Sequence, residues 1–180
     1  MTEPGNENRT LKASHMEQNA FVDTFGGVYE HSSWVAEEVF AAGLNGAHDT
    51  IAGLHNALRD VVDNANRKKQ LTLLRAHPDL AGKLAITGAL TPESTAEQAS
   101  ANLDQCTAEE FDEFQCLNGE YKNAFGFPYI LAVRGRNRQE ILQNFRSRVS
   151  NDADSEFTEA LKQVHQIALL RLESIFQEEH

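Results

Sequence analysis

The run FTEALKQVHQIALLRLESI, Phe157 to Ile175, decides the fold class. Its apolar residues Phe157, Leu161, Val164, Ala168, Leu172 and Ile175 recur at spacings of three and four. On a helix of about 3.6 residues per turn, that spacing gathers them into one stripe roughly five turns long. Ile51, Leu54, Leu58 and Val61 repeat the pattern upstream, again marking one buried helix face. Strand-type content is confined to YILAV (129–133), a lone run with no second run to pair with. Shorter helices are expected over 15–24, 32–42, 67–76, 107–123 and 137–148. Thr91-Pro92 reads as an N-cap followed by proline at the first helical position. The pattern predicts an all-α, single-domain helical bundle of about eight helices with one short extended segment near 129–133.

The bulk numbers agree with a globular chain. Of 180 residues, 41% are hydrophobic and 24% charged, enough apolar surface for one ordinary core and too little charge for disorder. The domain is expected over 14–180, behind a polar, aperiodic tail over 1–13 that reads as mobile. A formal net charge of −11 argues against a nucleic-acid or anionic-membrane partner. A small anionic substrate stays open, because a local Arg or His can overrule the global sign. There is no apolar stretch of signal-peptide or transmembrane length, so a cytoplasmic protein is expected. Cys106 and Cys116 lack CxxC spacing and read as two buried thiols rather than a disulfide.

Motifs for borrowed chemistry are missing. The seven histidines (His15, His31, His48, His55, His77, His165 and His180) contain no i,i+4 pair and no HExxH. No Glu stands three residues before any of them, so no metal is expected. GxGxxG, Walker and GxSxG sequences are also absent, so no phosphate-bearing cofactor or nucleophile elbow is expected.

Four features carry chemistry instead. In RAHPDLAGKL (75–84), Pro78 biases His77 away from the helical region, and a new helical segment is expected after Asp79. The imidazole could plug the helix end by bonding its free carbonyls. It could equally give and take a proton near neutral pH, since free imidazole titrates at about 6.5. In STAEQ (94–98), Ser94 and Glu97 match a capping box; if the helix starts at Thr91, Glu97 and Gln98 are released to face a ligand. Arg171 shares the apolar stripe of the last helix. It either snorkels to solvent or aims its guanidinium at a ligand carboxylate or at Glu97. Finally, FGFPYILAVRG (125–135) is too apolar for an ordinary loop. Its backbone groups need partners, from a flat polar ligand or from tight packing.

Taken together, EHSSWVAE (30–37), LLRAHPDLAGKLA (73–85), LTPESTAEQASANLDQ (90–105) and YKNAFGFPYILAVRGR (121–136) resemble the OHCU decarboxylase family of ureide metabolism. The resemblance spans roughly residues 15–176. Ser33 departs from the family's usual proline, and Asn102 from a common glycine. The resemblance implies an all-α, cofactor-free enzyme, generally a homodimer. It would convert 2-oxo-4-hydroxy-4-carboxy-5-ureidoimidazoline (OHCU) to S-allantoin and CO2. It makes His77 the catalytic acid/base, with Glu97 and Arg171 at the other polar catalytic positions. Pro78, Ser94, Thr95, Ala96, Glu97, Gln98 and the backbone of Tyr129, Ile130, Leu131, Ala132 and Val133 would line the substrate site. His31 is expected to be structural. The alternative from another class is a non-catalytic acidic helical domain that binds a partner protein through an exposed apolar patch.

Overall fold

The computed structural model describes residues 11–82 and 87–178. Its α-helices are α1 (Gln18–Phe25), α2 (Trp34–Ala42), α3 (Ile51–Asn64), α4 (Arg67–Arg75), α5 (Pro92–Ser100), α6 (Ala108–Phe125), α7 (Arg138–Arg148) and α8 (Ala153–Glu178). Short 3-10 turns, which periodicity does not reveal, occupy Ala13–His15, Gly46–Asp49 and Leu103–Gln105. There is no strand among the described residues, so the all-α expectation holds. Ala13, at the end of the stretch expected to be mobile, is fully buried; residues 1–10 of that stretch lie outside the described residues. Leu80 and Ala81, where the new helical segment was expected to begin, form a turn, and the last residues of that segment (83–84) lie outside the described residues.

Helix ends follow their caps. Thr107 and Glu110 form a reciprocal capping box at α6, and Asn137 and Glu140 do the same at α7. α6 stops at Gly126, whose φ of 76° is the left-handed C-cap that glycine adopts without strain. Phe127 and Pro128 then keep the chain out of a helix.

The chain's contacts sort it into two compact units. One comprises residues up to Asn64 and from Ala168 onward, so it uses α1, α2, α3 and the last turns of α8. Its core is aromatic and aliphatic: Phe21, Phe25, Val39, Leu54, Leu58, Val62 and Leu172 are buried, and the Phe25 and Phe176 rings lie 6.3 Å apart. The other unit, Ala65–Ile167, holds α4 to α7 and the first half of α8. There Tyr129 stacks on Phe145 at 3.7 Å, and Tyr121 meets Tyr129 edge-on at 5.6 Å. This cluster packs beside buried Phe114, Ile141 and Val164 and anchors the connector between α6 and α7.

Candidate active site

The candidate site is built at the C-terminal end of α4, in the 65–167 unit. Helix α4 ends at Arg75, and Pro78 blocks any continuation. His77 is buried, with its Nδ1 3.0 Å from the Leu73 carbonyl four residues back. A carbonyl oxygen only accepts, so Nδ1 carries the proton and Nε2 is the basic nitrogen of the neutral ring. The two readings of His77 therefore coexist. One nitrogen satisfies a helix-end carbonyl, and that bond sets the tautomer of the other.

The turn after His77 is clamped from two helices. Gln98 of α5 accepts from the Ala81 N–H at 3.0 Å through Oε1 and donates to the Asp79 carbonyl at 3.2 Å through Nε2. From α6, Gln115 donates to the Ala81 carbonyl (2.8 Å), Asn118 to the Leu80 carbonyl (3.0 Å), and Lys122 to the Asp79 carboxylate (2.7 Å). These three side chains sit at i, i+3 and i+7, one stripe on one helix face. They hold Ala81 at a φ of 49°, a left-handed conformation costing an alanine roughly 1–2 kcal/mol. The strain persists because the surrounding hydrogen bonds over-determine the turn.

His77 opens onto a cleft of about 490 Å³ whose walls include Arg75, Pro78, Asp79, Asn118, Lys122 and Pro128. Arg75 is fixed by donating from Nε to the Gly126 carbonyl at 2.8 Å; its terminal amines have no protein partner among the described residues. Two cations against one carboxylate make this wall positive, although the chain as a whole carries −11. A carboxylate-bearing substrate fits that local sign.

The remaining expected residues fall in several places. Thr91, not Ser94, caps α5: the Thr91 hydroxyl accepts from the Ser94 N–H at 3.2 Å, with Pro92 in the first turn. That excludes the Ser94–Glu97 capping box and leaves Ser94 buried, Glu97 half-buried, and Thr95 and Ala96 exposed. Gln98 is released from capping as expected, but its amide is spent on the 79–81 turn. Arg171 does not snorkel. It is buried in the other unit, its Nη1 2.8 Å from Glu30 Oε2 and 3.1 Å from the Gly27 carbonyl. The structure therefore gives Arg171 an internal carboxylate partner, Glu30.

The connector 129–133 also finds partners in the protein. All five residues are buried. Arg148 donates to the Ile130 carbonyl at 2.6 Å, and Gln163 accepts from the Ala132 N–H at 3.0 Å. Arg136 donates to the Ala132 carbonyl at 3.1 Å. A ligand is not needed at those groups, and the packed-connector reading holds for them. Tyr129 and Leu131 differ: the backbone N–H and C=O of each have no hydrogen-bond partner among the described residues.

Both cysteines are free thiols, but only Cys106 is even partly buried and Cys116 is exposed, which corrects the expectation of two buried thiols. Burial pushes the Cys106 thiol up, and the Glu120 carboxylate that accepts from Cys116 pushes that thiol up too, so neither is poised as a thiolate. Sequence reasoning missed Arg75, Asp79, Gln115, Asn118 and Lys122. Nothing in the sequence set the stripe at 115, 118 and 122 apart from a solvated face; the burial of Asn118 comes from the structure.

A family model described as OHCU decarboxylase matches residues 14–173. A Haloferax volcanii protein named 2-oxo-4-hydroxy-4-carboxy-5-ureidoimidazoline decarboxylase is 41% identical over 168 residues, covering 93% of this chain and 96% of that protein. A uric acid degradation bifunctional protein of Bacillus sp. (strain TB-90) is 36% identical over 170 residues, and this chain spans 32% of its length. The crystal structure of an (S)-allantoin synthase superposes with a TM-score of 0.71 at 32% identity, covering 91% of this chain and 52% of that one. The chain belongs to the OHCU decarboxylase family.

Proposed function

We propose that this protein decarboxylates OHCU to S-allantoin and CO2, with His77 as its acid/base. The observation that carries the reading is the fixed imidazole: Nδ1 is held by the Leu73 carbonyl in the wall of a cleft rimmed by Arg75 and Lys122. In the reaction the C–COO⁻ bond breaks and CO2 leaves. The electron pair passes into the neighbouring ring C=N. The ring nitrogen takes up one proton and the ring carbon bearing the ureido group another, while the hydroxyl proton is lost as the carbonyl forms. The substrate is its own electron sink, so the protein has to orient the carboxylate, stabilise developing charge and deliver a proton to one face.

Residues on three elements serve that task. His77 takes the hydroxyl proton or delivers the ring proton through Nε2. Glu97, with Ser94, Thr95 and Ala96 beside it on α5, meets the ureido or ring N–H groups. The unpartnered N–H and C=O of Leu131 suit the ring's own amide, and Tyr129, Ile130, Ala132 and Val133 hold them there. Gln98 acts one step back, through the 79–81 turn. The same reading carries a homodimer, which sedimentation at working concentration would check.

The test is the circular dichroism of allantoin formation, with OHCU generated freshly by urate oxidase and hydroxyisourate hydrolase. Wild type should give a rapid single-enantiomer signal, and a folded His77→Ala should lose ~10²–10⁴ in rate, the usual worth of positioned acid–base help. Wild type matching only the slow spontaneous decay to racemate would refute the reading.

A further inference from the structure

Arg148 is almost wholly buried on the last turn of α7, where a charge is costly unless fully partnered. Its partners are unusually complete. Nε and Nη2 reach the carboxylate of Glu156, a fully buried residue, with Nη2 to Oε2 at 2.9 Å. Glu156 also accepts from Asn151 at 2.9 Å and from the Tyr121 hydroxyl. Burial, with Glu156 adding to it, pushes that hydroxyl's titration far up, so it stays a donor. Nη1 then leaves the ion pair and donates to the Ile130 carbonyl at 2.6 Å, while the guanidinium carbon lies 4.7 Å from the Tyr129 ring centre.

A buried ion pair by itself is weak grounds for stability, since apolar side chains of similar volume often serve as well. What an apolar side chain cannot do is grip a carbonyl in a non-helical connector. The connector is gripped a second time two residues on, by Gln163 of α8 at the Ala132 N–H. Between the two grips stands Leu131, whose peptide groups the protein leaves unpartnered. Just upstream, Pro128 forms part of the cleft wall with His77, and Gly126 holds Arg75.

We infer that Arg148 and Gln163 are positioning residues that clamp the connector on either side of Leu131, fixing its N–H and C=O as a donor–acceptor pair for the substrate ring. Neither touches substrate; each acts through the backbone it holds. The inference rests on the proposed function, and specifically on the connector meeting the substrate.

Two variants test it. Arg148→Lys keeps the charge opposite Glu156, but a compact ammonium cannot span the carboxylate and the Ile130 carbonyl as the planar fork does. Gln163→Leu releases the Ala132 N–H while keeping an apolar stem at a half-buried position, and its far-ultraviolet circular dichroism shows whether it folds. The circular-dichroism assay should show KM for OHCU raised roughly tenfold in each variant, with kcat reduced far less, the pattern of lost ground-state binding. A merely structural role would instead lower the active fraction, leaving KM unchanged. If Arg148→Lys fails to fold, Gln163→Leu decides alone. Wild-type KM in folded Gln163→Leu overturns the clamp while leaving the decarboxylase reading intact. Wild type without turnover overturns both.

Discussion

Replacing Arg171 by methionine separates two roles for the same residue. The guanidinium lies 2.8 Å from Glu30, and the two side chains are only 4% and 1% exposed. Methionine keeps the apolar stem and removes the charge, so the Glu30 carboxylate loses this cation in a setting water scarcely reaches. Removing one partner of such a pair typically costs ~3–5 kcal/mol, because the remaining charge keeps its desolvation penalty. The lost bond to the Gly27 carbonyl falls within that range. For a chain of this size, each kcal/mol moves Tm by about 2–4 °C, so Arg171→Met should melt roughly 6–20 °C below wild type. Urea unfolding followed by far-ultraviolet circular dichroism measures the same deficit directly. The double variant Glu30→Leu/Arg171→Met should recover much of it, since the buried carboxylate that lost its guanidinium is gone and similar volume remains. An Arg171→Met within about 1 kcal/mol of wild type would refute the argument that Glu30 is this residue's working partner. If that stable variant also lost turnover, the guanidinium would be acting on substrate.

Gln98→Leu should leave the buried Ala81 N–H and the half-buried Asp79 carbonyl without their side-chain partner, costing about 1–3 kcal/mol and at least ~10-fold in kcat/KM. Gln98→Glu, which still accepts but no longer donates, should fall between; full stability with lost activity in Gln98→Leu would instead point to direct substrate contact. Asp152 precedes α8 and accepts from the Ser155 hydroxyl (2.6 Å) and N–H (2.9 Å), bonds that hold its carboxyl below the usual range. Since the folded value is the lower one, its stabilisation is fully present above about pH 4 and is lost as pH falls through the folded value. Asp152→Asn, a good cap that does not titrate, should therefore lose less of its urea midpoint between pH 7 and pH 3 than wild type. An equal loss in both proteins would show that this cap is not part of the acid response.

The sequence by itself determined the features set by neighbours along the chain. Apolar residues at three and four placed the stripes of α3 and α8, and Thr91-Pro92 marked a helix start that the structure keeps. Pro78 was enough to put His77 at a helix break. Even locally, though, two cap candidates three residues apart could not be ranked, because each offers the same hydroxyl to the same kind of N–H. The Thr91–Ser94 bond resolves that choice.

Only the tertiary structure decided which groups meet across long stretches of chain. The periodicity of α8 shows that Arg171 faces inward but says nothing about Glu30, which lies on a loop far upstream. The apolar connector 129–133 declares itself buried, yet its grips come from Arg148 and Gln163 on two later helices. Gln115, Asn118 and Lys122 look like an ordinary solvated face until the 79–81 turn is brought against them. The reason is physical. Periodicity records which face of an element leaves water, a property of that element alone. A hydrogen bond or ion pair needs two groups within about 3 Å in the right orientation, and that is fixed by how the helices pack.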